Sequence, residues 1–286
     1  MFKHVGIIGA GTMGSGIAQA VALSRIDVSL YDVNDTLLRQ GVERIRGDMR
    51  RGIQKGKLTQ EQMTEAVERI RLRSSLSDFG TCDLIIEAVI EDLRVKKDLF
   101  RHLEQSCKPT TILASNTSSL SISAIATGSS KRDRVIGLHF FNPANIMKLV
   151  EVVRGQQTSD VVLNSALDFV KHLGKTPVVV KDIPGFIVNR VARPFYGEAL
   201  RILGENIATV EQIDSICKSI GGFPLGPFEL MDLVGVDVNL MVTQSMYEQY
   251  GGEPRYRPHP IQKRMVDSGL LGKKTQHGFY AYEDKI

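Results

Sequence analysis

Two ionisable side chains, His139 and Glu151, lie at the two ends of one strongly apolar stretch, "HFFNPANIMKLVE". A carboxylate close to an imidazole fixes the tautomer of the ring and stabilises its protonated form. Such a histidine can accept a proton from an alcohol or donate one to a ketone, and apolar surroundings that exclude water strengthen both interactions. We therefore predict a proton-transfer pair; the alternative is a core histidine with an ordinary hydrogen-bond partner.

A glycine-rich segment carries the second chemical signal. The pattern G-x-G-x-x-G consists of Gly9, Gly11 and Gly14, and stands between an apolar run and a helical one. In that context the glycines allow a tight turn, close approach of a pyrophosphate and tight packing of helix on strand. Asp32 closes the next strand-like run, where a carboxylate binds a ribose diol and repels a 2′-phosphate. NAD is favoured over NADP, although Arg25 and Arg39 leave an opening for the phosphorylated form. The alternative is a turn that binds nothing.

The elements that position these residues follow an alternating pattern. Short aliphatic runs alternate with helical segments in the first half of the chain, which indicates a doubly wound α/β domain with a parallel, Rossmann-like sheet. The runs cover residues 4–9, 27–32, 83–89, 110–115, 134–140, 148–154 and 177–181. Pro184-Gly185 marks a boundary near residues 182–185, and the patterns beyond it are helical. We predict an α/β domain over 1–183 and an all-α domain over 184–286.

A helical hairpin over about residues 35–71 interrupts the alternation. Its first helix has apolar residues at helical spacing, and Thr59 with Gln62 can form a capping box for a second helix that carries Met63, Val67 and Ile70. The first arm is basic, with Arg39, Arg44, Arg46, Arg50, Arg51, Lys55 and Lys57. These charges indicate either a solvated helix face or a site for a phosphorylated ligand.

Composition narrows the class of protein. The chain has 286 residues, 42% of them hydrophobic and 24% charged, which is typical of a globular protein that needs no metal or disulfide to hold its core. A net charge of +4 is too small to indicate nucleic acid as a partner. We expect no metal and no membrane span, because no Cys/His cluster and no long apolar run occur. Three scattered cysteines and a strand-like start without room for a signal peptide predict a cytoplasmic protein.

The motifs together resemble the L-3-hydroxyacyl-CoA dehydrogenase family, especially its short bacterial form. The similarity covers nearly the whole chain and is most specific in "SNTSSL", "HFFNP…MKLVEV" and "PGFIVNR". It implies NAD-dependent oxidation of an L-3-hydroxyacyl-CoA, of short chain length, to the 3-ketoacyl-CoA, or the reverse. It also implies a Rossmann-like domain, a helical domain that mediates a homodimer, and catalysis in the cleft between them.

The resemblance assigns roles to particular positions. His139 would be the general acid/base and Glu151 its partner, while Ser118 and Asn189 would position the substrate. Residues of the cofactor site would be Gly9, Gly11, Thr12, Met13, Gly14, Asp32, Glu91, Lys96, Asn116, Ser118, Asn142 and Lys274. The family uses the hairpin against CoA, and Arg50 and Lys55 are our candidates for that contact. On chemistry alone, "SNTSSLSI" indicates substrate or nicotinamide binding and helix capping equally.

Two departures and two rival functions accompany the resemblance. Asn145 stands where a second proline is common, which would loosen the loop behind His139, and Gln276 replaces a glycine that is usual near Lys274. The first rival is an NAD-dependent dehydrogenase of a free hydroxy or sugar acid, which would lack a hairpin able to hold CoA. The second is a non-catalytic NAD-binding protein of the crystallin kind, which need not keep Ser118, His139, Glu151 and Asn189 together.

Overall fold

The computed structural model describes residues 2–282 and divides the chain into two compact units, Met1–Ile183 and Pro184–Ile286. The described part of the first unit contains one eight-stranded sheet in the order β3-β2-β1-β4-β5-β6-β7-β8. Its strands are β1 (His4–Ile8), β2 (Asp27–Tyr31), β3 (Ile70–Leu72), β4 (Leu84–Glu87), β5 (Ile112–Ser115), β6 (Val135–Phe140), β7 (Leu149–Arg154) and β8 (Thr176–Lys181). The chain order reverses between β1 and β4, so the sheet has the switch point of a doubly wound fold.

Helices cover both faces of this sheet. They are α1 (Thr12–Leu23), α2 (Asp35–Gln54), α3 (Gln60–Glu68), α4 (Leu93–Ser106), α5 (Ile122–Ala126) and α6 (Asp160–His172). All residues of β4, β5 and β6 are buried, which explains why these strands are apolar on consecutive residues, with polar side chains only at or next to their last residue, instead of alternating. Side-chain caps begin several helices: Asn34 accepts from the first turn of α2, and Asp92 accepts from the first turn of α4. The predicted α/β class is confirmed.

The hairpin is confirmed, with a correction at its end. Thr59 and Gln62 form the predicted capping box of α3, but that helix ends at Glu68. Ile70, which the apolar spacing placed in the helix, begins the short strand β3 and pairs in parallel with Val28 of β2. The three residues of β3 are too few and too exposed for their apolar pattern to distinguish a strand from the last turn of a helix. The main-chain pairing with β2 makes them a strand.

The second correction concerns strand direction. The apolar runs indicate a parallel sheet, whereas β7 runs antiparallel to β6. A parallel neighbour requires a crossover of a dozen or more residues, and the connection between Phe140 and Leu149 is shorter than that. The chain therefore turns back directly, and β7 enters the sheet as the second arm of a hairpin.

The second unit is helical. Its helices are α7 (Val188–Gly204), α8 (Val210–Ser219), α9 (Pro227–Val234), α10 (Val236–Gln249) and α11 (Pro260–Asp267). Tyr196, Leu200, Phe228 and Met231 form the centre of its core. Buried Asp232 accepts from the backbone N–H groups of Phe279 and Tyr280, which fastens the segment after α11 to α9. Apart from isolated bridges at His277, residues 184–282 contain no β-structure, so the predicted all-α class is confirmed for this part of the chain.

Candidate active site

His139 and Glu151 are direct cross-strand neighbours in β6 and β7. The Nδ1 atom of His139 lies 2.7 Å from Oε2 of Glu151, and the two residues are 6% and 0% exposed. A carboxylate can only accept a hydrogen bond, so Nδ1 carries the proton and donates it to Glu151. The neutral ring then has its lone pair on Nε2, which is the atom able to accept a proton from a substrate.

The surroundings of this pair are apolar and well anchored. The ring of Phe141 packs against His139 with 4.4 Å between the centroids. The loop that follows β6 is held by Lys175, whose Nζ donates to the carbonyls of Ala144 and Met147, both at 2.7 Å. Asn142 is exposed and precedes a cis bond to Pro143. Water exclusion on this side strengthens the attraction between the carboxylate and a protonated ring.

The departure at Asn145 adds an anchor to the loop. Asn145 Nδ2 donates to Oε1 of buried Gln19 in α1, at 3.2 Å. The Asn145 amide thus gives this loop a tertiary hydrogen bond where a proline would give it rigidity, and the expectation that Asn145 loosens the loop stays a prediction. The other departure, Gln276, adopts the left-handed conformation (φ 60°) that explains the glycine usual at this position.

The glycine loop has the geometry of a dinucleotide site. Gly9 has φ +101°, and a Cβ at Gly14 would lie 1.8 Å from the carbonyl oxygen of Gly9. A Cβ at Gly11 would meet nothing within 4 Å, since it would point into open space at the N-terminus of α1. No side chain caps that terminus, and the exposed Thr12 and half-buried Met13 follow it. The backbone is thus closely packed at Gly9 and Gly14, and the space at Gly11 is open to a pyrophosphate.

Asp32 lies beside this loop, directly after β2. Its Oδ2 accepts from the backbone N–H of Ala10 at 2.8 Å, and its Oδ1 accepts from that of Asn34 at 3.1 Å. These bonds hold a half-buried carboxylate at the end of the glycine turn, where an adenosine ribose binds in Rossmann-like sites. The residues therefore fit an NAD cofactor.

Replacing Gly11 with alanine is expected to weaken NADH binding about tenfold without loss of stability. Its φ of −64° suits alanine, so the methyl group meets no protein atom and fills only the cofactor's space. Fluorescence titration with NADH and thermal melting measure the two effects. Gly47→Ala, which adds the same methyl group in the interior of α2, should leave NADH affinity unchanged while raising the melting temperature. Unchanged NADH affinity in the Gly11 variant would contradict the assignment of the loop.

Replacing Asp32 with alanine is expected to weaken NAD binding about tenfold and to weaken NADP binding less, because one charge-assisted hydrogen bond to the ribose is lost. Dissociation constants for both cofactors test this. Asp32→Asn retains an acceptor for Ala10 and separates the cofactor effect from any loosening of the turn. Equal losses for the two cofactors would refute the ribose role.

Lys96, which is buried, and Glu91, which is exposed, lie in one ionic cluster together with a residue that the sequence analysis did not identify. Lys96 is 1% exposed and its Nζ lies 2.5 Å from Oε1 of Glu87 and 3.3 Å from Oε2 of Glu91. We name Glu87, Lys96 and Glu91 the β4 charge cluster. Glu87 is 0% exposed, and Ser115 Oγ donates to it at 2.6 Å. Its position as the last residue of an apolar strand was the only signal in the sequence.

The β4 charge cluster holds the loop that carries Asn116 and Ser118. Oε1 of Glu91 accepts from Thr117 Oγ1 at 2.5 Å and from the backbone N–H of Ser118 at 3.1 Å. Burial by itself would raise the pKa of Glu91, but the Lys96 ammonium and these hydrogen bonds more than offset it, so the pKa lies below its ordinary value. Asn116 Oδ1 accepts from the backbone N–H of Phe140 at 2.9 Å, which ties the same loop to the strand of His139.

The segment "SNTSSLSI" therefore has a structural role. Ser121 caps α5, and Asp182 accepts from Ser121 Oγ and from the backbone of Ile122, both at 2.8 Å. Thr117 Oγ1 accepts from the backbone N–H of Leu120 at 2.9 Å. The capping interpretation is confirmed for these residues, and ligand binding by Ser118 stays a prediction.

The basic arm of the hairpin is mostly neutralised within itself. Arg39 pairs with Asp35, and Arg46 and Arg50 both lie within 4 Å of Glu43, at 3.7 and 3.9 Å. Arg44 Nη1 lies 3.3 Å from the carbonyl of Ala10. Lys55, the C-cap of α2, is exposed and forms no ion pair within the described residues. Of the two candidates for CoA contact, Lys55 keeps its full charge available, and Arg50 shares its charge with Glu43.

The two predicted residues of the second unit have their own partners there. Asn189 lies in the first turn of α7, where its Oδ1 faces Nη2 of buried Arg193 at 3.5 Å. Lys274 Nζ lies 2.6 Å from the carboxylate of Asp237 in α10. Burial would raise the pKa of Asp237, but this ion pair keeps the pKa below its ordinary value. Their contribution to the site of the first unit stays a prediction.

Two absences hold for residues 2–282. No group of three or more His, Cys, Asp and Glu side chains is arranged to hold a metal ion in this part of the chain. None of its helices has the length and apolar character needed to cross a membrane.

Family models match both units. The model described as "3-hydroxyacyl-CoA dehydrogenase, NAD binding domain" matches residues 4–183, and "3-hydroxyacyl-CoA dehydrogenase, C-terminal domain" matches residues 185–282. A probable 3-hydroxybutyryl-CoA dehydrogenase of Deinococcus radiodurans is 43% identical over 277 residues, which cover 97% of this chain and 99% of that protein. The 3-hydroxyadipyl-CoA dehydrogenase of Escherichia coli K12 is 44% identical over 97% of this chain and 58% of that protein.

A solved structure extends the match to the fold. The crystal structure of (S)-3-hydroxybutyryl-CoA dehydrogenase PaaH1 from Ralstonia eutropha superposes with a TM-score of 0.94 at 40% identity, covering 99% of this chain and 100% of that one. The similarity in sequence and in fold thus extends over both units.

Proposed function

Because this chain belongs to the 3-hydroxyacyl-CoA dehydrogenase family, we propose that it oxidises an L-3-hydroxyacyl-CoA to the 3-ketoacyl-CoA with NAD, reversibly. We propose a short acyl chain, as in 3-hydroxybutyryl-CoA, on the ground of the similar enzymes that carry this name. The observation that carries the proposal is the buried His139–Glu151 pair, in the same unit as a glycine loop built for a dinucleotide.

The protein's own part in the reaction is movement of one proton. Nε2 of His139 accepts the proton of the substrate's 3-hydroxyl group during oxidation and returns it to the 3-oxygen during reduction. Glu151 holds the ring through Nδ1 and stabilises the positive charge that His139 gains. We propose that Ser118 and Asn189 orient the 3-oxygen and the thioester.

The cofactor site follows from the glycine loop and the loop after β5. When bound, NAD supplies the acceptor for hydride from C3. The N-terminus of α1, with Gly9, Gly11, Thr12, Met13 and Gly14, would hold the pyrophosphate, and Asp32 the adenosine ribose. We propose Glu91, Lys96, Asn116, Ser118, Asn142 and Lys274 for the nicotinamide half. Glu91 and Lys96 belong to the β4 charge cluster, which supports the roles of Asn116 and Ser118 because it fixes the backbone of the loop that carries them.

For CoA we propose Arg50 and Lys55, since phosphate groups require cations that are not fully neutralised within the protein. Lys55→Glu is expected to raise KM for acetoacetyl-CoA roughly five- to tenfold with kcat unchanged, because a contact remote from the reacting atoms contributes uniform binding. Steady-state kinetics with acetoacetyl-CoA and with its 3′-dephospho analogue measure this. Lys171→Glu, the same change of charge on α6, serves as the control. A KM that stays at the wild-type value would remove Lys55 from the CoA site.

The experiment that tests the proposed function is the initial rate of NADH oxidation at fixed NADH, with acetoacetyl-CoA and with free acetoacetate as alternative substrates. We expect rapid turnover of the thioester alone. Turnover of the free acid would favour the free hydroxy-acid rival, and no turnover with measurable NADH binding would favour a non-catalytic protein. The rate with a dicarboxylic thioester such as 3-oxoadipyl-CoA, compared with that of acetoacetyl-CoA at equal concentration, tests the proposed preference for a short acyl chain.

We further propose a homodimer formed through the second unit and a cytoplasmic location. The helical unit exposes several large apolar side chains, which are available to such an interface. They include Val191, Ile216, Ile220, Phe223 and Met241, with exposures between 50% and 84%. The free thiols of Cys82, Cys107 and Cys217 support a reducing compartment. Sedimentation equilibrium tests the dimer, and Ile220→Asp should shift it toward monomer.

A further inference from the structure

The β4 charge cluster contains two carboxylates and one ammonium group, so its formal charge is −1. Glu87 and Lys96 are almost fully buried, and Lys96 is the only cation within ion-pair distance of either carboxylate among the described residues. Buried ionic groups contribute little net stability, because their desolvation offsets their attraction. The buried pair of Glu87 and Lys96 is formally neutral, and the exposed Glu91 gives the whole cluster one excess negative charge. A cluster of this charge, two of whose three members are buried, calls for a role other than holding the fold together.

The location of the cluster indicates that role. Glu87 is the last residue of β4 and pairs in register with Ile8 of β1, the residue before the glycine loop, and with Ser115 of β5. The chain reverses its order between β1 and β4, and dinucleotides bind outside the carboxyl ends of the strands at such a switch point. Glu87 thus lies beneath the crevice in which the cofactor would bind.

We propose that Glu87 is an electrostatic positioning residue that favours the oxidised cofactor over the reduced one. The nicotinamide ring carries a positive charge in NAD⁺ and none in NADH, whereas the rest of the cofactor is unchanged. A cluster with one excess negative charge beneath the crevice therefore attracts one form more than the other, and loss of the Glu87 carboxylate removes that excess. The inference rests on the proposed function, since it requires that the crevice binds NAD.

The contacts separate this electrostatic role from a merely structural one. Glu87 also accepts from Ser115 Oγ and from the backbone N–H of Val89, at 2.6 and 2.8 Å, and so helps to hold the loop after β5. Loss of that support would weaken NAD⁺ and NADH binding by the same factor. Loss of the charge would change the ratio of the two dissociation constants, which is the quantity that distinguishes the roles.

The test is the ratio of Kd for NAD⁺ to Kd for NADH in the full-length chain without substrate. NADH is followed by its own fluorescence, to which tryptophan cannot contribute because the chain has none, and NAD⁺ by competition. In Glu87→Gln we expect this ratio to rise about three- to tenfold, the size of the effect of one charge at roughly 10 Å in a medium of effective dielectric constant of about 25 to 50. An unchanged ratio in the folded variant overturns the proposal.

Control variants make the result specific. Asp83→Asn removes a carboxylate that pairs with Lys108 at 2.6 Å at the opposite end of the same strand, and should leave the ratio unchanged. Ser115→Ala removes a hydrogen bond from Glu87 without a change of charge, and should also leave it unchanged. A rise of the ratio in either control equal to that in Glu87→Gln overturns the proposal.

A second variant and the behaviour of the wild-type protein decide the remaining cases. If thermal melting shows that Glu87→Gln does not fold, Glu91→Gln removes the other carboxylate of the cluster and should raise the ratio in the same direction. A wild-type protein that binds both cofactors but reduces no thioester overturns the proposed function and leaves this test valid. A wild-type protein that binds neither cofactor overturns both.

Discussion

In the His139→Gln variant, reduction of acetoacetyl-CoA is expected to slow by a factor of about 10²–10⁴, the range for loss of a single general acid/base. Glutamine can fill much of the ring's volume and can still bond to Glu151, but it cannot accept a proton at the position of Nε2. The loss should appear in kcat, because the histidine acts on the proton in transit. NADH affinity, measured by fluorescence, should stay within about twofold of wild type, a difference below 0.5 kcal/mol.

The control for this variant is His102→Gln, which makes the same replacement at an exposed position of α4 and should retain wild-type kinetics. Wild-type turnover by His139→Gln would falsify the assignment of the proton-transfer group. A loss of NADH affinity as large as the loss of rate would instead indicate that the substitution disturbs the whole site.

The second large effect is expected from Glu151→Gln. The change keeps the shape of the side chain and an acceptor for Nδ1–H, but removes the negative charge that stabilises a protonated His139. A hydrogen bond to a charged group contributes about 1.5–3 kcal/mol, so kcat should fall roughly 10- to 100-fold. Because Glu151 is fully buried, thermal melting must accompany the kinetics.

A double variant tests whether the two residues act as one unit. If Glu151 works only through His139, the combined His139→Gln/Glu151→Gln variant should be about as slow as His139→Gln alone. Rate losses that multiply would mean that Glu151 has an independent function, such as holding the sheet, and the pair would have to be described differently.

The proton-transfer pair was accessible from sequence because both residues interrupt apolar runs, and a charged group in such a run needs a partner. The mode of contact was not accessible in the same way. The sequence places His139 at the carboxyl end of a strand and Glu151 beside it in the next strand run, but not the direction in which the two strands pair, which is antiparallel in the structure. Only the short connection between the runs indicates that direction.

Glu87 shows a second limit. A glutamate at the end of an apolar strand has no periodicity of its own, and its partners Lys96 and Ser115 come from two other elements. Their meeting depends on strand order, which local sequence does not encode. The short strand that begins at Ile70 is not predictable for a related reason, since its pairing with β2 is the main feature that distinguishes it from a helix end. Motifs within one segment were predictable; contacts assembled from several segments were not.

The antiparallel return of β7 also affects how this chemistry can be inherited. Both partners of the proton-transfer pair belong to one contiguous hairpin, so a single stretch of gene encodes them together with the turn that sets their register. Side chains alternate between the two faces of a strand, so a one-residue insertion within β6 or β7 would turn His139 or Glu151 to the opposite face. The turn between the strands is constrained as well, because Lys175 and Asn145 anchor it and hairpin register depends on loop length. Insertions and deletions in descendants of this gene should therefore be rare over the whole hairpin, residues 135–154.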